Sequence, residues 1–182
     1  EPEFAFRFIQ GPLIAVTGTN GKTTTTLLAQ HLLGSRGASA SVGTLGLIEP
    51  DGSVREGTEG LTTPGPVAIS TWLADLAEEG VGSVAVEASS HALDQKRLDG
   101  VRFDAVVFTN FSQDHLDYHG DIVRYARSKR RLFEMLREDG VAVVNAADPR
   151  GEEMAAAARA KGARVSCFGA PGAELVAREV TF

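Results

Sequence analysis

Apolar residues recur along this chain in two rhythms. Short runs bounded by Gly, Pro or polar residues read as strands, those at 83–87 and 104–109 of the type buried on both faces. They cover residues 13–17, 38–43, 83–87, 104–109, 141–145 and 164–168. Between them, apolar positions return at helical spacing. That spacing predicts a helix over 22 to about 35, with Leu27, Leu28, His31 and Leu32 on one face and Gly34 and Gly37 near its end. A second helix runs over 66 to about 79, with Val67, Ile69, Trp72, Leu73 and Leu76 as apolar positions. Two more cover 121–137 and 149–161, the latter with Pro149 at its start, where the missing N–H is harmless. Runs 45–49 and 53–56 flank Asp51 and Gly52, a hairpin signal. Residues 174–182 read as a last strand.

Strands alternating with helices predict an α/β fold: a mainly parallel sheet with helices on both faces and a small β-hairpin insertion. Ligands of such sheets bind at the carboxyl ends of the strands. The polar clusters of this sequence fall there, just after the apolar runs.

Composition narrows the class. At 182 residues the chain is one medium domain, or most of one. The 43% hydrophobic and 23% charged fractions are those of a globular protein. A net charge of -6 argues against a general nucleic-acid partner. The single Cys167 forms no internal disulfide and supplies no metal-ligand spacing, which suits a reducing, cytoplasmic compartment. No apolar run approaches the ~18 residues of a membrane span, so membrane insertion is not expected. The chain begins at Glu1 rather than Met, as a processed chain or an excised piece does.

The first strand runs into Gly18, Thr19, Asn20, Gly21, Lys22, Thr23 and Thr24, where a helix begins. Backbone amides and a positive helix end there face an anion. Lys22 adds a point charge, and a Thr hydroxyl can hold Mg²⁺. The arrangement implies a nucleoside triphosphate site and a fold of the P-loop nucleotide-binding type. The usual spacing has a glycine where Val16 stands, so this loop is a shorter variant. The plain alternative is a Gly-rich turn with a solvated lysine.

Other candidates follow the later strands. Glu87 ends the strand 83–87; it is either a Mg²⁺ partner beside the loop or a strand-end carboxylate in water. Residues 109–120 hold Asp114, His115, Asp117 and His119, either a metal or phosphate site or a polar loop that fits no closed zinc site. Thr62 and Thr63, and Ser89 with Ser90 and His91, either bind a polar substrate or cap helices. In the helix from 121, Ile122, Tyr125, Leu132, Phe133 and Leu136 form an apolar stripe, and Lys129 falls within it. A lysine there must snorkel out, pair with an acid, or be modified.

The strings GTNGKTTTT (18–26), TTP (62–64), EASSHAL (87–93) with Gln95 and Arg97, TNFSQDHLDYHG (109–120), and Tyr125, Lys129 and Phe133 resemble the central ATPase domain of the Mur ligases. Within that family they look most like the tripeptide synthetases, which join meso-diaminopimelate or L-lysine to UDP-N-acetylmuramoyl-L-alanyl-D-glutamate in peptidoglycan synthesis. The loop alone is shared with folylpolyglutamate and cyanophycin synthetases; DHLDYHG with EASSH is more particular. The resemblance implies ATP and Mg²⁺ as cofactors, and a UDP-muramoyl dipeptide and an amino acid as partners. It implies that residues 18–24 wrap the ATP phosphates and that Lys22, His115 and Lys129 are catalytic. Thr23 and Glu87 hold one Mg²⁺ and His115 joins a second. Thr62, Thr63, Ser89, Gln95 and Arg97 bind the UDP-sugar dipeptide. Lys129 matches a lysine that family members carry as a carbamate, a carboxylate-like group able to support Mg²⁺.

Two departures accompany the resemblance. Family members carry a UDP-binding domain before this region and an amino-acid-binding domain after it. The expectation is therefore a central ATP-binding domain over residues 1–182, truncated at its C-terminal end and inactive as a ligase alone. Gly65 stands where an acidic residue often follows Thr-Thr-Pro. The competing expectations are a cyanophycin or folylpolyglutamate ligase, and a nucleotide-binding module without catalysis.

Overall fold

The computed structural model describes Ile9, residues 11–58 and residues 60–175. The chain forms β1 (Leu13–Thr17), α1 (Lys22–Gly34), β2 (Ser39–Gly43), β3 (Gly46–Ile48) and β4 (Val54–Arg55). Then come α2 (Pro66–Glu78), β5 (Ser83–Glu87), α3 (Ser90–Asp94), β6 (Phe103–Phe108) and α4 (Leu116–His119). α5 (Ile122–Glu134), β7 (Leu136–Asn145), α6 (Gly151–Arg159) and β8 (Arg164–Phe168) follow.

The strands join in one sheet of order β4-β3-β2-β5-β1-β6-β7-β8. β2, β5, β1, β6, β7 and β8 are parallel; β3 and β4 add an antiparallel edge. β1 and β5 carry no polar alternation because both faces are covered: every residue of β5 is buried, and all of β1 except the half-buried Ile14. From β1 the chain steps over β5 to β2, returns to β5, then crosses β1 to β6. Right-handed crossovers put α1 on one face and the helices of the returning crossovers, α2, α5 and α6, on the other. α1 packs on β1, β2 and β5, while α5 packs on β1 and β7. The carboxyl ends of β1, β5 and β6 thus open into one crevice, where the direction reverses.

The predicted hairpin is present as β3 and β4, with Asp51 Oδ1 accepting from Ser53 N at 2.8 Å in the turn. Arg55 ties it to α2 through Asp75 and Glu79.

Three readings change. The expected inner face of α1 is turned outward: Leu28 is 57% and Leu32 68% exposed, and His31 is exposed. Thr26 and Gln30 point inward instead. Thr23 must face Glu87 across the sheet, and residues 23, 26 and 30 share one helical face. The Gln30 amide donates to the carbonyls of Ser39, Ile48 and Glu49, and its oxygen accepts from Ser41. Val67 of α2 is likewise exposed, while Ile69, Trp72, Leu73 and Leu76 are buried. The helix from 121 ends at Glu134, and Leu136 already pairs with Phe103 in the sheet. Periodicity alone could not separate these, since Leu136 is buried in either state. α3 and α4 are too short to leave a periodic signal. The predicted strand over 174–182 lies almost wholly outside the described residues.

Candidate active site

Gly18 leaves β1 where the chain has no room for a side chain. A Cβ there would meet Thr109 Oγ1 at 1.8 Å. Gly21, at φ 81, is the N-cap of α1 in the left-handed region that favours glycine, and no side chain caps the helix. The first intrahelical bond is Thr25 N to Gly21 O, so the amides of Lys22, Thr23 and Thr24 have no helical acceptor. An uncapped positive helix end of this kind binds an anion. The loop is braced from β6: Thr19 N donates to Asn110 O, Asn20 N to Asn110 Oδ1, and Thr109 Oγ1 to Asn20 O. Lys22 folds back to donate to the carbonyls of Gly18 at 3.1 Å and Thr19 at 2.9 Å. Burial lowers its pKa, and the charges of Glu87 and Asp114 work against that shift.

Glu87 is no solvated strand end, being only 2% exposed. It sits in register beside Val16, at the mouth of the loop. Its Oε2 accepts from Thr23 Oγ1 at 3.1 Å and Thr44 Oγ1 at 3.2 Å, and its Oε1 from Thr44 N at 3.0 Å. Gly43 makes space for it, since a Cβ there would fall 2.2 Å from Oε1. Thr44 had no signal in the sequence.

Lys129 does not snorkel. It is 1% exposed, and no carboxylate lies within ion-pair distance among the described residues. Its Nζ donates to the Gly18 carbonyl at 2.8 Å and lies 4.5 Å from the centre of the Tyr125 ring. Burial first, and Lys22 second, push its pKa down to about 7.

The two His and two Asp of residues 114–119 diverge. Asp114 accepts from the amide of His115, a residue at φ 51 whose half-exposed ring lies 3.5 Å from the same carboxylate. His119 turns inward, with Nε2 3.1 Å from Ser90 Oγ. Burial is the main force lowering its pKa. Among the described residues no three His, Cys, Asp or Glu side chains converge on a metal position. Mg²⁺ at a phosphate site needs only one or two protein oxygens besides phosphate and water. The Thr23–Glu87 pair is an oxygen set that fits it. Lys129 as an ammonium does not.

A cleft of about 290 Å³ is lined by Lys22, Thr62, Ser89, Arg97, His115 and Lys129. Tyr125 and His91 also line it. Thr63 is buried beneath, donating to Glu87 O at 2.7 Å and accepting from Ser89 N. Ser89 caps α3, accepting from Ala92 N at 3.2 Å, and also faces the cleft, so capping and substrate contact are both open to it as geometry. Gln95 is outside the lining; it braces Arg97, accepting from its guanidinium, and donates to Tyr118 Oη at 3.1 Å. Arg97 also donates to Thr63 O at 2.8 Å. Thr24 lies exposed on the first turn of α1. Gly65 is the N-cap of α2, and a Cβ there would meet nothing within 4 Å.

A profile of the Mur ligase middle domain matches residues 16–181. The chain belongs to the Mur ligase family. Among curated Mur ligases, the UDP-N-acetylmuramoyl-L-alanyl-D-glutamate--2,6-diaminopimelate ligase of Agrobacterium fabrum is 45% identical over 170 residues, 92% of this chain and 34% of that protein. The enzyme of the same name from Xylella fastidiosa is 51% identical over 142 residues, 76% of this chain and 28% of that protein. The chain thus spans about a third of the length of these curated relatives. A solved structure of a ligase of that name superposes with a TM-score of 0.78 at 34% identity, covering 91% of this chain and 34% of that one. MurF from Acinetobacter baumannii, with a TM-score of 0.72 at 21% identity over 99% of this chain and 36% of its own, shares the fold.

Proposed function

We propose that this chain is the ATP-handling part of a ligase that adds 2,6-diaminopimelate to UDP-N-acetylmuramoyl-L-alanyl-D-glutamate in peptidoglycan synthesis. One observation carries the reading. Lys22, at the uncapped start of α1, and the buried Lys129 line the same cleft as Ser89 and Arg97, and the next residue of the helix, Thr23, pairs with Glu87. The names of relatives 42–51% identical support diaminopimelate over L-lysine. Folate-type enzymes match at about 20% identity, a likeness of fold alone. One of them, FolC of E. coli, was solved in complex with ADP, which supports a nucleotide as the ligand of this fold.

In this reading residues 18–24 hold the ATP phosphates, and Lys22 neutralises charge on the transferred phosphoryl group. Thr23 and Glu87 would hold Mg²⁺, with His115 beside a second ion. The metal supplies charge stabilisation at the phosphates when bound. Thr62, Thr63, Ser89, Gln95 and Arg97 orient the dipeptide so that its D-glutamate side-chain carboxylate attacks the γ-phosphorus. The O–P bond forms as the bridging bond to ADP breaks. The amine of the incoming amino acid then attacks the acyl carbon, phosphate leaves, and the amine proton is lost. The protein's share is positioning and charge balance. Lys129, whose pKa burial pushes down to about 7, gives up its proton more readily than an ordinary lysine and is suited to add to CO₂. A new N–C bond and loss of a proton convert it to an anionic carbamate beside the loop. The reaction would take place in the cytoplasm, and the matched third of the relatives' length would bind nucleotide without completing the ligation alone.

The test is ADP release by the complete ligase. It should require the UDP-muramoyl dipeptide and 2,6-diaminopimelate together. Release driven instead by folates, peptide polymers or L-lysine would overturn the reading.

A further inference from the structure

α5 meets the phosphate loop at two points one helical turn apart. Lys129 Nζ donates to Gly18 O at 2.8 Å, and the Tyr125 hydroxyl lies 3.1 Å from Thr19 Oγ1. Tyr125 is fully buried, its ring 5.0 Å from that of Phe111 and 5.1 Å from that of His119. The same ring faces the Lys129 ammonium.

The direction of the Tyr125 bond follows from its neighbours. Thr19 Oγ1 accepts from Ser112 N at 2.9 Å and lies 3.2 Å from the Ser112 carbonyl, which can only accept. The single threonine proton therefore goes to Ser112 O. The remaining lone pair on Thr19 Oγ1 takes the Tyr125 O–H. Among the described residues this phenol has no other hydrogen-bond partner. The apolar stripe of α5 explains an aromatic ring at 125, as it explains Phe133, but it gives no reason for a hydroxyl. A buried phenol costs free energy unless its proton has an acceptor, and the acceptor here is a residue of the loop.

We propose that Tyr125 is a positioning residue of the nucleotide site: its hydroxyl holds the Thr19 side chain and its ring supports Lys129, so consecutive loop residues Gly18 and Thr19 are set by one face of α5. The inference rests on reading the loop as a nucleotide site.

The experiment is a double-mutant cycle on ADP affinity, with Tyr125→Phe and Thr19→Val in this chain, followed by titration calorimetry. Tyr125→Phe should weaken ADP binding about 3- to 10-fold, the range of one lost hydrogen bond. In the Thr19→Val background the same change should cost almost nothing, because its acceptor is already gone. A structural role without positioning would not produce that non-additivity. Tyr125→Leu, which also removes the ring, should weaken binding further than Tyr125→Phe. Equal costs of Tyr125→Phe in both backgrounds, or no cost in the first, would overturn the inference while leaving the nucleotide reading intact. Absence of ADP binding by the unsubstituted chain would overturn both.

Discussion

Lys129 is a cation buried against a carbonyl and a ring, with no carboxylate to balance it among the described residues. Its folded-state pKa is pushed down to about 7 from 10.5, while the unfolded chain keeps the ordinary value. Between these two the unfolded state binds more protons, so stability rises with pH. The full gain is present above the unfolded value and is lost as pH falls through about 7. Lys129→Met, close in volume and uncharged, should flatten that slope. The difference in unfolding free energy between the two proteins is expected to change by a few kcal/mol between pH 7 and 10. Urea unfolding across that range reads it, and parallel profiles would contradict the buried-cation account. In a complete ligase the same substitution should lower turnover about 10²-fold or more, the scale of losing a charge-stabilising group. Periodicity flagged Lys129 correctly as misplaced, yet none of the outcomes open to the sequence included a carbonyl of the loop itself as its partner. That contact joins residues 111 positions apart.

Elements were legible where their signal is local. The short runs located six parallel strands, and the signal is most local in β1, β2 and β5, which are buried on both faces. The Asp51–Gly52 turn was legible for the same reason, since its backbone demand is met within the turn. α1 was located but its rotation was misread. Its apolar residues suggest one face, while Thr23 and Gln30, bonded to Glu87 and to the β2–β3 edge, set another. The corrected rotation predicts that Leu28→Lys and Leu32→Lys change stability by less than about 0.5 kcal/mol, as exposed substitutions do. Gln30→Ala should cost about 1–3 kcal/mol by stranding the Ser41 hydroxyl and the carbonyls it satisfies. Thermal or urea denaturation of the three variants distinguishes the two faces. A large loss from either leucine would restore the apolar face to the core.

At the scale of the molecule, the reversal of strand order between β2 and β6 opens a crevice at the carboxyl ends of β1, β5 and β6. Loops after these strands converge there because the strands are neighbours in space, although β6 begins 86 residues after β1 ends. A site built this way binds its ligand in the folded state alone. ADP with Mg²⁺ at about 100 times its dissociation constant should therefore stabilise the chain by roughly 2.7 kcal/mol. Scanning calorimetry should record a higher melting temperature, and a smaller rise when Glu87→Gln removes the carboxylate. An equal rise without Mg²⁺ and in Glu87→Gln would argue against Glu87 as a metal oxygen. The sequence by itself determined the α/β class, the strands, the glycine-bounded loop before α1 and the oddity of Lys129. Each is a local matter of periodicity, glycine placement or polarity. Only the tertiary structure decided the rotation of α1, the burial of Glu87 behind Gly43 and Thr44, and the role open to Tyr125. Those depend on which strands become neighbours, and no spacing along the chain encodes the distance between side chains that meet across a sheet.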